Sequence, residues 1–106
     1  CHTVNHIILS QVSVDVCKRE IVESKKKLEQ ELDQEIDLFA YPEGRRDDFN
    51  TSIIRTLKKE GFQSSPSAIW GGNRIPSVDP FYLHRIMVGF EGTSFPQYEN
   101  VQCVPQ

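Results

Sequence analysis

The sequence lacks most of the features that would place it in a specialised structural class. It has no apolar run near the roughly 18 to 20 residues that span a bilayer, so we predict no membrane span. Its three cysteines fit neither a disulfide framework nor a zinc knuckle, and Cys17 is predicted to be a small buried residue. Because the chain opens on Cys1 rather than Met, we expect a processed product or a fragment and leave localisation open.

The chain also lacks an excess of either charge. Its 12 basic and 15 acidic residues are mixed along the sequence and give a formal net charge of −3. This balance gives no electrostatic reason to expect nucleic acid or an anionic membrane as a partner. A length of 106 residues with 38% hydrophobic residues suits one small globular domain, or part of one.

Two amphipathic helices are predicted. The first begins after Ser13 as N-cap and runs for about five turns, with a solvated face at 25–27. The second covers 51–60, is capped by Asp48 or Asn50, and ends at Gly61 in a Schellman-type cap. The inward positions of the two helices are Cys17, Ile21, Leu28, Leu32, Ile53, Ile54 and Leu57.

Strands are predicted at 36–41, 67–70 and 83–90, and the tail at 91–106 is predicted to be irregular. Strands that alternate with helices favour parallel βαβ units with the helices outside. Two or three parallel strands bury poorly alone. The fold class is therefore α/β, and the chain is expected to be part of a larger sheet or barrel.

His2 and His6 are the first candidates for chemistry. Their four-residue spacing puts two imidazoles on one side of a turn or tight loop, within reach of one divalent ion. Thr3 offers a hydroxyl that is expected to orient a ring. The spacing alone does not distinguish a metal site from two surface histidines, and no downstream residue is an obvious third ligand.

The order of motifs resembles that of the polysaccharide deacetylases of carbohydrate esterase family four, the NodB-like enzymes. Their His-Ser/Thr-x-x-His motif matches His2 to His6, their Phe-Ala-Tyr-Pro-x-Gly motif matches 39–44, and a later Asp-Pro-Phe-x-Leu-x-Arg-Ile segment matches 79–86. The likeness runs from His2 to about Val88. It identifies 1–106 as the expected C-terminal half of one such domain, in the Phe-Ala-Tyr-Pro branch.

The resemblance implies a deformed, incomplete (β/α) barrel whose first strands are missing here. It also implies metal-dependent hydrolysis of N-acetyl groups on a GlcNAc-containing polysaccharide, outside the cytoplasm or at the cell envelope. His2 and His6 would bind a divalent metal, expected to be zinc. The family takes its third ligand and catalytic base from an Asp-Asp motif, which we expect in an N-terminal half upstream of Cys1. The chain alone is expected to be inactive.

The same resemblance assigns roles to the loop at 41–44. Tyr41 and Pro42 would form a wall of the substrate site, and the backbone N–H of Glu43 would help to hold the developing oxyanion. A plain strand-ending turn remains the alternative. Many relatives carry an arginine that pairs with the catalytic carboxylate where this chain has Ala40, so the orientation of the base is open.

Three later residues are further candidates. His84 would correspond to a catalytic histidine in a Leu-x-His motif, but here it stands one place early, directly after Leu83. Arg85 is expected to be either a structural partner or a wall of the site. Trp70 is predicted to be a core aromatic, with stacking on a sugar ring as the alternative.

The sequence leaves two other functions open. One is a non-catalytic, carbohydrate-binding or structural remnant of the same fold. The other is an unrelated α/β interaction module in which the motifs match by chance. The second alternative predicts that His2 and His6 lie on separate faces of the folded chain.

Overall fold

A computed structural model describes residues 1–88 of the chain. The predicted irregular tail, Cys103 and the end of the strand predicted at 83–90 lie outside the described residues. Within residues 1–88, no helix has the length and apolarity to cross a membrane.

Helix α1 runs from Val14 to Leu32, after a short 3-10 turn at Leu9–Gln11. It begins as predicted, because the Ser13 side chain accepts a hydrogen bond from the Val16 N–H at 3.3 Å. Cys17 is buried as predicted. Leu32 is not, since 55% of it is exposed and the last turn of α1 has no core beneath it.

The face of α1 predicted to be solvated is also only partly so. Lys25 is half-buried, and its Nζ donates to the Glu60 carbonyl at 2.6 Å and lies 5.5 Å from the centroid of the Phe62 ring. Lys27 follows the prediction and pairs with Glu31 at 3.1 Å in water. One lysine thus holds the end of the second helix while its neighbours stay in solvent.

Helix α2 runs from Thr51 to Lys59. Of the two predicted caps, Asn50 serves, because its Oδ1 accepts from the Ile53 N–H at 3.0 Å. The helix ends in the predicted Schellman motif: Gly61 has φ 91°, and the Phe62 N–H donates to the Leu57 carbonyl at 3.0 Å.

The sheet is small and parallel. Strand β1, Pro66–Trp70, pairs with β2, Leu83–Arg85, in a register interrupted by one irregularity. The strand predicted at 36–41 forms only a single parallel bridge, between Leu38 and Ser64. The α/β class is confirmed, and the surrounding barrel stays a prediction.

The core joins the inner faces of both helices to the segment at 39–41. Within it, Phe39 packs edge to face on Phe62 with 5.3 Å between ring centroids. The buried apolar residues are Leu9, Cys17, Ile21, Phe39, Tyr41, Phe49, Ile53, Ile54, Leu57, Phe62 and Phe81.

Candidate metal centre

The first residue of the chain sets the position of the histidines. The Cys1 amino group donates to the Leu38 carbonyl at 2.8 Å, and the Ala40 N–H donates to the Cys1 carbonyl at 2.8 Å. This is the pattern of two parallel strands. Parallel strands end at the same edge of a sheet, so His2 emerges beside the residues that follow Ala40.

The two histidine rings lie together. Their centroids are 4.7 Å apart with 66° between the ring planes, and both residues are exposed. Two imidazoles this close can ligate one ion, since each Zn–N bond is about 2.0 to 2.1 Å. His2 and His6 therefore do not lie on separate faces, the arrangement that a chance match predicted.

The ring of His2 is oriented by the backbone. Its Nδ1 lies 2.6 Å from the Ala40 carbonyl oxygen, and an oxygen of this kind only accepts, so Nδ1 carries the proton. The lone pair is then on Nε2, the arrangement that metal-bound histidines commonly use. The prediction that Thr3 orients a ring is wrong, because its buried hydroxyl has no partner among the described residues.

Residues 2–6, here called the histidine loop, have an unusual backbone. Thr3 has φ 61° and His6 has φ 54°, the left-handed region that side chains with a Cβ rarely adopt. Each such residue costs about 1 to 3 kcal/mol and persists only where its surroundings determine it. The two turns bring His6 back toward His2.

The histidine loop is tied to α1 through Asn5. Its N–H and its Nδ2 donate to the two carboxylate oxygens of Glu20, at 3.1 and 3.3 Å. Glu20 is only 4% exposed. Sequence reasoning missed this contact, although an acidic residue on the inward stripe of α1, between Cys17 and Ser24, was the available signal.

Beside the histidine loop lies a cavity of about 690 Å³. The cavity lies between residues 1–4 and the turns of α1 at 23–28. Its lining is formed by Cys1, His2, Thr3, Val4, Glu23, Ser24, Lys27 and Leu28.

Residues 41–44, here called the Tyr-Pro loop, are built differently. Tyr41 is 1% exposed; its ring stacks on Phe49 with centroids 4.0 Å apart and planes within 4°, and its hydroxyl donates to the Phe81 carbonyl at 2.8 Å. Burial raises the pKa of Tyr41. Pro42 is buried too. Packing encloses both side chains in the described chain, and their role as a wall of the substrate site stays a prediction.

Glu43 stands at the exposed tip of the Tyr-Pro loop. It has φ 60°, and no described residue accepts a hydrogen bond from its N–H. The next residue is held on both sides: the Gly44 N–H donates to the Pro42 carbonyl at 2.7 Å and the Ala68 N–H donates to the Gly44 carbonyl at 2.8 Å. The Glu43 N–H is thus held in a fixed direction without an acceptor, and its oxyanion role stays a prediction.

Two of the later candidates do not join the histidine pair. His84 lines a separate cavity of about 360 Å³ that shares no residue with the one beside His2. Arg85 donates from Nε to the Ser67 carbonyl at 2.6 Å and so connects β2 to β1. This contact corresponds to the structural partner that was one of the two expectations for Arg85.

Trp70 corrects the prediction of a core aromatic. It is 52% exposed at the carboxyl end of β1. The expectation of a core position was wrong, because burial alternates along β1 and Trp70 falls in phase with the exposed Ala68 and not with the buried Ser67.

Comparison with known proteins decides the family. Residues 1–65 match the family model for polysaccharide deacetylases. The chain belongs to the polysaccharide deacetylase family. It is 27% identical over 100 residues to the Bacillus subtilis (strain 168) protein named "Putative polysaccharide deacetylase YxkH", covering 92% of this chain and 34% of that protein.

A solved relative has the same fold. The Streptococcus pyogenes deacetylase PplD, in complex with acetate, superposes with a TM-score of 0.71 and 30% sequence identity over 82% of this chain and 37% of that one. The present chain thus spans about a third of the length of each of these two relatives, 34% of the first and 37% of the second.

The residues present fit a metal ion only in part. Two adjacent imidazoles, one whose lone pair is left on Nε2 by the bond from Nδ1 to Ala40, are suited to zinc. Within residues 1–88, no third His, Cys, Asp or Glu joins them in a group that could hold an ion. The described chain therefore offers two candidate ligands, and a catalytic metal site needs a third protein ligand.

Proposed function

We propose that this chain supplies two metal ligands and an oxyanion-binding loop to a domain that hydrolyses N-acetyl groups on a GlcNAc-containing polysaccharide. The observation that carries the proposal is the pairing of His2 and His6, with 4.7 Å between ring centroids and with His2 held through Nδ1. Membership of the polysaccharide deacetylase family supports deacetylation as the chemistry.

The roles proposed for the chain's own residues combine this geometry with the family resemblance. A divalent ion, expected to be zinc, when bound to the two imidazoles would polarise the acetyl carbonyl and lower the pKa of a bound water. His2 and His6 would hold that ion from one side. The Glu43 N–H would donate to the carbonyl oxygen as negative charge develops on it.

The proposal requires a partner segment. The third ligand and the catalytic base are expected in an N-terminal half of the same domain, and the protein that joins this half to residues 1–106 is here called the parent protein. The length of the relatives supports it, since this chain covers 34% and 37% of them. Leu38 and Val4 are 59% and 51% exposed beside the Cys1 pairing, as expected of a face that packs against further structure.

The experiment is acetate release from a GlcNAc oligomer. The parent protein should release acetate, should lose the activity to a chelator and should regain it with zinc. Residues 1–106 alone should release none. Activity that is indifferent to chelation would contradict the metal, and activity in the isolated chain would contradict the need for an N-terminal half.

One observation favours a second function. Trp70 is 52% exposed at the carboxyl end of β1, where an indole face suits stacking on a sugar ring. A carbohydrate-binding protein without catalysis would use such a residue as well. This reading gains support if the parent protein binds the oligomer but releases no acetate with zinc, cobalt or manganese.

A further inference from the structure

Glu20 is an acidic residue in an apolar place. It lies on the inward face of α1 and is 4% exposed, between Cys17 and Ser24, which are also buried. A buried carboxylate requires hydrogen-bond donors in place of the water it has lost. Among the described residues these donors come from Asn5 alone, through its N–H to Oε1 at 3.1 Å and its Nδ2 to Oε2 at 3.3 Å.

The two metal-binding candidates differ in how they are held. The ring of His2 is fixed by its own hydrogen bond to the Ala40 carbonyl. The ring of His6 has no hydrogen-bond partner among the described residues and only meets the ring of His2. Its direction is therefore set by its backbone, which is in the left-handed region with φ 54°.

The backbone at His6 follows directly on Asn5. A carboxylate that binds both the main-chain and the side-chain donor of Asn5 fixes the position and the rotation of that residue. Anchoring Asn5 fixes the position of its Cα, and the planar peptide that follows places His6 at a set distance from that atom.

We infer that Glu20 is a positioning residue, which acts through Asn5 to direct the His6 imidazole at the ion shared with His2. The inference rests on the proposed function, because it takes the histidine pair to be a metal site. If Glu20 had only a structural role, it would stabilise the contact between the histidine loop and α1. Its removal would then change metal affinity no more than removal of a comparable carboxylate on the same helix.

Glu29 provides that comparison. It lies on the same helix, and its Oε2 accepts from the Ile36 N–H at 3.1 Å, the same kind of bond to a segment without histidine. Glu20→Ala and Glu29→Ala in the parent protein therefore each remove one such carboxylate, with its hydrogen bonds, from α1. Only the first change touches the histidine loop.

Two quantities of the parent protein test the inference. One is the Kd for Zn²⁺, measured by competition with a chromophoric chelator, and the other is the visible absorption spectrum of the Co²⁺ form. Glu20→Ala is expected to raise the Kd by about 10 to 100-fold, the usual effect of losing a group that supports a ligand, and to change the Co²⁺ spectrum. Glu29→Ala is expected to leave both as in the unmodified protein. Equal Kd values for the two variants would overturn the inference.

A rescue experiment separates positioning from general stability. Asn5→Asp alone places two carboxylates together and is expected to weaken Zn²⁺ binding. Combined with Glu20→Gln it should restore affinity, because the new amide can donate to the new carboxylate while its oxygen accepts from the N–H at position 5. A double variant that binds Zn²⁺ no more tightly than Asn5→Asp alone would count against the inference.

The outcomes also distinguish the two proposals. If the unmodified parent protein binds neither Zn²⁺ nor Co²⁺ through its histidines, the proposed function falls and this inference with it. If it binds them and Glu20→Ala binds equally well, only the inference falls. Should Glu20→Ala not fold, Asn5→Ala decides: Asn5 is exposed, and an unchanged Kd in that variant overturns the role of the contact.

Discussion

The histidine loop and the Tyr-Pro loop follow two segments that pair in parallel, at Cys1 and at 38–40, yet they are held by different forces. The histidine loop is mostly exposed and depends on a few polar bonds, to Ala40 and to Glu20. The Tyr-Pro loop is buried except for Glu43 and depends on aromatic packing under Tyr41. Changes in the first loop should therefore affect ligand binding, and changes in the second should affect stability.

The largest effect is expected from His6→Ala in the parent protein. Loss of a direct ligand should weaken Zn²⁺ binding by more than the 10 to 100-fold typical of an outer group, while the free energy of unfolding of the metal-free protein stays within about 0.5 kcal/mol because the side chain is exposed. Calorimetric titration with Zn²⁺ and urea denaturation measure the two. His84→Ala is the matched control, and an equal loss of Zn²⁺ affinity there would remove the distinction between the two cavities.

Gly44→Ala tests the Tyr-Pro loop. Gly44 has φ 75°, and an added Cβ would lie 2.9 Å from the Ala68 backbone nitrogen. We expect the free energy of unfolding to fall by about 2 to 4 kcal/mol, from strain and close contact together.

Gly61→Ala is its control. Gly61 also has a positive φ of 91°, but the nearest atom to a Cβ there is the flexible Lys25 Nζ at 3.4 Å. The loss should be about 1 to 2 kcal/mol. Equal losses in the two variants, measured by urea denaturation, would show that backbone strain alone accounts for Gly44.

Tyr41→Phe is expected to have a smaller effect. It keeps the stack on Phe49 but removes the donor to the Phe81 carbonyl, which should cost about 1 to 2 kcal/mol of the free energy of unfolding. Tyr82→Phe removes a hydroxyl from a residue that is 37% exposed and should change stability by less than about 0.5 kcal/mol. A Tyr82→Phe loss as large as that of Tyr41→Phe would contradict the importance of the buried bond.

The smallest effect is a pH dependence. Burial raises the pKa of Tyr41, so above about pH 10 the unfolded chain has released a proton that the folded chain keeps. The contribution is fully present below that pH and is lost as the pH rises further. Urea denaturation between pH 8 and 11 should show a steeper decline for the unmodified protein than for Tyr41→Phe, and parallel declines would exclude Tyr41 as the cause.

The sequence predicts local structure better than long-range contacts. Ser13 and Gly61 mark the limits of helices, because caps are short-range chemistry between residues a few positions apart. Trp70 and Leu32 were predicted inside and lie outside, because burial depends on what the sheet and the second helix cover. A single sequence does not give that information.

The candidate site shows the same division. The pairing of His2 with His6 follows from their spacing and from the family motif. The hydrogen bonds to Ala40 and to Glu20 join residues that are 38 and 15 positions apart in the sequence. In the first, the acceptor is a backbone oxygen, which no pattern of side chains in the sequence can indicate. These partners become visible only once the strand and the helix have been placed.

The acceptor for His2 has one more consequence. Every residue type carries the same main-chain oxygen, so position 40 can change its side chain without loss of the bond that directs the imidazole. Under the proposed function, an arginine or an alanine at this position would change what pairs with the catalytic base and would leave the direction of the His2 imidazole unchanged.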